Sequence, residues 1–303
     1  MIKVIFMGTP DYADAILKAL IADDDIKVVG VYTQPDKPVG RKKILTPPSV
    51  KVTAQEHDIT LYQPACLREE DVVRELLKIS CDYIVVAAYG QILPREILDH
   101  APCINLHASI LPQYRGASPI QQTLLNGDKE TGVTAMLMEE GLDTGDILKI
   151  EKIAVADDEM LETLFNRLTQ VATTLTIDVV KNFHSYTPVP QDETKATYCK
   201  KITKADGLVA FDDAQTLFNK YRAFTPWPGI YIESKLKLKE IALEDKTSHN
   251  EVGKILSIDK DSIVVGCKVG TTRVYKVQPQ SKKEMDVLAY INGKRLQVAD
   301  YLS

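Results

Sequence analysis

The first 180 residues alternate short apolar runs with stretches of helical spacing. Ile2–Phe6 is an apolar run that stops at Gly8-Thr9-Pro10, and Asp11–Ala22 then places apolar residues at helical intervals. Thr9 suits a helix N-cap and Pro10 the first helical position. Ile26–Tyr32, Asp82–Ala88 and Cys103–His107 predict further strands. Met160–Phe183, with Leu161, Leu164, Phe165 and Leu168 in helical register, predicts a long closing helix. Near-continuous apolar runs separated by helices are what a parallel sheet covered on both faces requires. The pattern predicts an α/β domain, Rossmann-like and mostly parallel, over residues 1–183.

The pattern changes after that. Residues 184–205 hold Pro188, Pro190 and a lysine cluster, and predict a basic linker. Residues 206–303 open with one helical stretch and continue as short alternating strands at Gly229–Lys239, Gly253–Ile258, Ser262–Cys267 and Arg273–Val277. Such a run predicts a small β-barrel of the OB-like, oligonucleotide-binding type. A chain of 303 residues is long enough for two domains.

Composition narrows the function classes. No run approaches the ~18 apolar residues that span a bilayer, and the N-terminus reads as a core strand, not a signal peptide. The five cysteines are scattered without a C-x-x-C pair, so neither a disulfide framework nor a zinc site is expected, and a reducing compartment, the cytoplasm, is. The five histidines show no ligand-pair spacing, so no metal is expected. A lone Gly8 is not a G-x-G-x-x-G fingerprint, which argues against a nicotinamide cofactor. The net charge of −5 conceals an asymmetry. Residues 1–194 carry 18 Lys+Arg against 29 Asp+Glu, whereas 195–205 hold Lys195, Lys200, Lys201 and Lys204 with no acid. The second half therefore leaves room for a polyanionic partner.

The candidate chemistry lies at the end of the strand 103–107. Asn105 and His107 are two apart, so their side chains leave one face of the sheet, at the carboxyl end where open α/β sheets bind ligands. An amide beside an imidazole can donate to an oxygen gaining negative charge. Downstream, Glu139-Glu140-Gly141-Leu142-Asp143-Thr144-Gly145-Asp146 forms a glycine-punctuated acidic loop. A carboxylate there can hold a histidine's tautomer and charge, and chemistry alone allows Asp143 or Asp146. The loop Gln34–Lys43 concentrates Lys37, Arg41, Lys42 and Lys43 among Pro and Gly, and is long for an α/β connection.

Asn105-x-His107-x-Ser109-x-Leu111-Pro112-x-x-Arg115-Gly116, followed by Gly141-Leu142-Asp143-Thr144-Gly145-Asp146, resembles the folate-dependent formyltransferases. Phe6–Pro10, Ala88–Pro94 and Arg222–Gly229, together with the linker and C-terminal domain, are similar to the branch that acts on methionyl-tRNA. The resemblance implies that Asn105, His107 and Asp143 are catalytic, with Asp143 chosen over Asp146. It implies that Ser109, Ile110, Leu111 and Pro112 contact folate and that Val86, Ala88, Tyr89 and Gly90 lie near its pterin. The implied donor is 10-formyltetrahydrofolate, and the implied acceptor is the amine of initiator methionyl-tRNA. Arg41, Lys42, Lys43, Lys200, Lys201 and Lys204 are then the expected tRNA contacts of a monomer that needs no membrane. Formylation of glycinamide ribonucleotide or an amino-sugar nucleotide is the alternative within the superfamily. A noncatalytic RNA-binding module is the alternative outside it.

Overall fold

The computed structural model describes residues 1–40 and 42–302. By contacts the chain forms two compact units. One comprises Met1–Pro119, Glu130–Ala154 and Leu164–Cys199; the other comprises Ile120–Lys129, Val155–Thr163 and the chain from Lys200 on.

In the first unit β1 (Ile2–Gly8), α1 (Asp11–Ala22) and β2 (Ile26–Tyr32) form as the apolar pattern predicts. The residues read as a basic loop fold into a small antiparallel hairpin, β3 (Lys37–Val39) and β4 (Ile44–Thr46), exposed along both strands. Then come α2 (Ser49–Glu56), β5 (Leu61–Tyr62), α3 (Glu70–Leu76), β6 (Tyr83–Ala87), α4 (Arg95–Leu98), β7 (Cys103–His107) and the two-residue β8 (Arg115–Gly116). Helix α5 (Pro119–Asn126), which from Ile120 on belongs to the second unit, precedes β9 (Glu130–Leu137) and β10 (Ile147–Ala154). Then α6 (Leu161–Lys181), in the first unit from Leu164 on, and β11 (Tyr198–Cys199) follow.

The central sheet has the order β10-β9-β7-β6-β1-β2-β5. The five strands from β5 to β7 are parallel, while β9 and β10 add an antiparallel edge. Strand β7 is thus interior, and all five of its residues are buried. On α6 the buried side chains Leu164, Leu168, Ala172, Leu175 and Val179 recur at helical spacing, so one stripe faces the core. Thr9 does not cap α1. The helix starts at Asp11 with Pro10 in the cap position, and the Thr9 hydroxyl instead donates to the Tyr89 carbonyl at 3.1 Å. The hydroxyl oxygen, which a cap would offer to a helix N–H, instead accepts the Gln34 N–H at 3.4 Å.

The second unit continues with α7 (Ala214–Phe224), β12 (Ile230–Tyr231), β13 (Lys237–Asp245), β14 (Ile255–Ile258), β15 (Ile263–Gly266), β16 (Thr271–Gln278), β17 (Met285–Asp286) and α8 (Val287–Lys294). The strands pair antiparallel in the order β12-β13-β16-β15-β14, with β17 also on β16. The stretch read as one strand at 229–239 is two, because the chain reverses at Lys235, whose φ is +65°. Arg222 on α7 is 3% exposed and donates to the carbonyls of Leu124, Ala156 and Glu159, binding three segments of this unit together. Among the described residues, no helix is long and apolar enough to cross a membrane.

Candidate active site

Strand β7 lies between parallel β6, with Asn105 beside Val86, and antiparallel β9, with His107 beside Thr134. Asn105 and His107 are 9% and 7% exposed at its carboxyl end. The connection between β9 and β10, residues 138–146, folds back over this end of the sheet. Its base is closed by Met138 N–H to the Cys103 carbonyl and Leu137 N–H to the Asp146 carbonyl, both 2.8 Å. Within it Asp143 adopts φ +54°, a left-handed conformation that is costly for most residues and tolerated by aspartate. That turn brings the Asp143 carboxylate to the pair. Oδ1 lies 3.4 Å from Asn105 Nδ2, and Oδ2 lies 3.7 Å from His107 Nδ1. Asp146 contributes its carbonyl to the loop base, so of the two it is Asp143 whose carboxylate is found beside the pair.

Two groups that the sequence reading did not single out complete the arrangement. The Gly116 N–H donates to Asp143 Oδ2 at 2.8 Å. His107 Nε2 lies 2.9 Å from the Tyr114 carbonyl. A carbonyl only accepts, so Nε2 carries the proton, and Nδ1 is the ring edge turned toward Asp143. At 3.7 Å the Nδ1–carboxylate contact is longer than a direct hydrogen bond and is an ion-pair distance when the ring is protonated.

The loop after β7 is pinned on both sides. Thr134 on β9 donates its hydroxyl to the Ser109 carbonyl at 2.6 Å and accepts Leu111 N–H at 3.1 Å. The Ser109 hydroxyl donates to the Gln113 carbonyl at 2.6 Å. Further on, β8 pairs in parallel with β11, through Arg115 N–H to Thr197 O at 2.9 Å and Ala117 N–H to Cys199 O at 3.1 Å. Only glycine fits at 116. Its φ is +112°, and a Cβ would stand 2.4 Å from the Cys199 carbonyl oxygen. The Arg115 side chain is fully buried and meets Glu193 and Gln191. Burial pushes the nearby Cys199 thiol above its ordinary range, so it stays protonated.

The residues expected near folate stand at the same edge of the sheet. Val86 is buried at the end of β6, and Ala88 and Gly90 follow it with φ +45° and +81°, both exposed. Tyr89 between them points into the core, where burial pushes its hydroxyl up to about 12. Its carbonyl accepts from Thr9 and from Gln34 Nε2 at 3.3 Å. Ser109–Pro112 leave the adjacent parallel strand in the same direction, with Leu111 buried and Ile110 and Pro112 partly so. A backbone strip with outward-turned left-handed residues, beside an apolar side-chain loop, fits a flat heterocycle held by main-chain hydrogen bonds.

Of the basic residues, Lys42 and Lys43 are exposed at the β3–β4 tip in the first unit, and Arg41 lies outside the described residues. Lys200, Lys201 and Lys204 are exposed in the second unit. Lys200 is 3.6 Å from Asp206, and Lys204 opens a one-turn helix capped reciprocally by Thr203 and Asp206.

The formyl transferase family matches residues 2–180, and the formyl transferase C-terminal domain matches residues 201–295. Methionyl-tRNA formyltransferase of Sulfurimonas denitrificans is 66% identical, over 99% of this chain and 100% of its own length. The enzyme of the same name from a Nitratiruptor strain is 54% identical over 98% and 99%. Among solved structures, an N-formyltransferase from Helicobacter canadensis, in complex with folinic acid and dTDP-3-aminofucose, superposes with a TM-score of 0.69. It covers 92% of this chain and 100% of its own, at 17% identity, a likeness of fold. With both of its domains matched and full-length relatives above half identity, the chain belongs to the formyl transferase family, among the methionyl-tRNA formyltransferases.

Proposed function

We propose that this chain transfers the formyl group of 10-formyltetrahydrofolate to the α-amine of methionine carried by initiator tRNA. The observation that carries the reading is the convergence of Asn105, His107 and Asp143 at the carboxyl edge of the sheet, beside loops suited to a folate. The full-length relatives bear the name of that activity.

The residues divide the work by charge. The amine nitrogen forms a bond to the formyl carbon, and the carbonyl oxygen takes up negative charge. Asn105 Nδ2 and His107 Nδ1, protonated, donate to that oxygen, and each such donor is worth ~10²–10³ in rate. Tyr114 O holds the opposite ring nitrogen and so fixes how the imidazole is aimed. Asp143 accepts the proton of the attacking nitrogen, directly or through water, for delivery to N10 of the folate as the C–N10 bond breaks. No residue is acylated. Residues 1–183 supply this chemistry. The basic segment 184–205 and residues 206–303 bind tRNA, with Lys42, Lys43, Lys200, Lys201 and Lys204 directed at phosphate. An amino-sugar nucleotide acceptor would use the same trio, and the exposed lysines favour the polyanion.

His107→Asn tests the assignment. Single-turnover formyl transfer should slow by about 10²-fold or more while the melting temperature holds. Near-full activity in the folded variant would remove His107 from the reaction.

A further inference from the structure

We infer that Gln191, held by the buried Arg115, is a positioning residue for Asp143. The inference rests on the proposed reading of the trio and adds a member that is far away in sequence.

The loop 138–146 needs an external tether. It carries no regular structure between β9 and β10, yet it must fold back over β7 with a left-handed aspartate at its turn. Aspartate tolerates that conformation without selecting it, so the path of the loop has to be fixed from outside. The side-chain amide of Gln191 supplies that constraint. Its Nε2 donates both hydrogens, one to the Asp143 carbonyl and one to the Gly145 carbonyl, each at 2.8 Å. Gly145 is itself irreplaceable, since a Cβ there would stand 1.8 Å from the Leu137 carbonyl oxygen.

The other end of the same amide is fixed as firmly. Gln191 Oε1 accepts from Arg115 Nε at 3.1 Å and Nη2 at 2.8 Å. That double contact decides which end of the amide is the oxygen, because arginine only donates. Arg115 is in turn locked by the bidentate Glu193 carboxylate, at 2.9 and 2.6 Å, and by the Tyr198 hydroxyl at 3.3 Å. One residue later, the Gly116 N–H holds the carboxylate of the same aspartate. Asp143 is therefore gripped twice from Arg115-Gly116, at its backbone through Gln191 and at its carboxylate directly. Gln191 touches no reacting atom. It sets where the carboxylate stands relative to His107, and a displacement of about 1 Å at such a site costs about 10²-fold.

Gln191→Glu separates tether from packing. The carboxylate keeps the shape and the Arg115 contact but offers no donor to the two carbonyls. Single-turnover formylation of methionyl-tRNA should fall tenfold or more, with KM for both substrates changed less than threefold. Gln191→Met, uncharged and of similar size, should act in the same direction and covers the case in which the glutamate variant does not fold. The discriminating measurement is a cycle with Asp143→Asn. If Gln191 works through Asp143, the Gln191 change should add less than threefold in the Asp143→Asn background, and Gln191→Asn should restore part of the lost rate. Full additivity of the two losses, or unchanged kcat in both folded Gln191 variants, would overturn the inference. Failure of the unaltered protein to formylate methionyl-tRNA at all would instead count against the underlying reading.

Discussion

Among the described residues, Arg115 and Arg222 are the two arginines taken almost wholly out of water, 0% and 3% exposed, and their surroundings differ in kind. Arg115 faces a carboxylate. Its hydrogen bonds to Glu193 hold the guanidinium above the ordinary arginine range despite desolvation. Arg222 meets three backbone carbonyls and the Asn219 side-chain oxygen, its Nε has no partner, and burial pulls its pKa down. A buried cation neutralised by a carboxylate can carry further hydrogen bonds outward at little cost. One whose donors go to carbonyl oxygens spends them on holding segments together, while the charges of Asp157, Asp158 and Glu159 offset part of its desolvation. The first arrangement holds the loop that carries Asp143, and the second staples a fold.

Three changes test that contrast, in falling order of effect. Gly116→Ala strikes the Arg115 side, where the added methyl meets the Cys199 carbonyl and displaces the N–H that holds Asp143. Turnover should drop about 10²-fold. A folded variant with kcat near that of the unaltered protein would mean the close approach is not used. Arg222→Met strikes the other side and leaves buried carbonyls without donors. Denaturant titration should register a loss of about 2–4 kcal/mol, with kcat per folded molecule unchanged. If turnover fell and stability did not, the two arginines would have exchanged roles.

The third change is smaller and depends on pH. Hydrogen bonding to Arg115 holds the exposed Glu193 carboxyl below its usual range. A carboxylate depressed on folding contributes stability above its unfolded pKa of ~4.3, and that contribution is lost as pH falls through the lower folded value. Glu193→Gln should therefore lose less melting temperature than the unaltered protein between about pH 5 and pH 3. Parallel acid slopes for the two proteins would place the pair outside the stability balance.

Legibility from sequence followed how local the physics is. The strands β2 and β7 and the closing helix α6 are written in apolar periodicity over consecutive residues, and Asn105 and His107 follow from a two-residue spacing. Asp143 and Asp146 cannot be told apart by residue chemistry. What separates them is a positive φ and a carbonyl pairing across the loop base. Gln191 leaves no signal at all, because its partners Asp143, Gly145 and Arg115 come from distant segments and its neighbourhood reads as proline-broken and polar. Thr9 teaches the same lesson in reverse: its local preference for capping yields to long-range partners, the Gln34 N–H and the Tyr89 carbonyl beyond β6. The hairpin at 37–46 was hidden for a different reason, since strands of three exposed residues carry no burial pattern to read.

The central claim concerns the acceptor, and one competition decides it. The purified protein is given labelled 10-formyltetrahydrofolate together with methionyl-tRNA, a dTDP-amino sugar and glycinamide ribonucleotide in one reaction. Label should appear on the methionine that mild base releases from tRNA, with the small amines untouched. Label on a small amine alone would contradict the account.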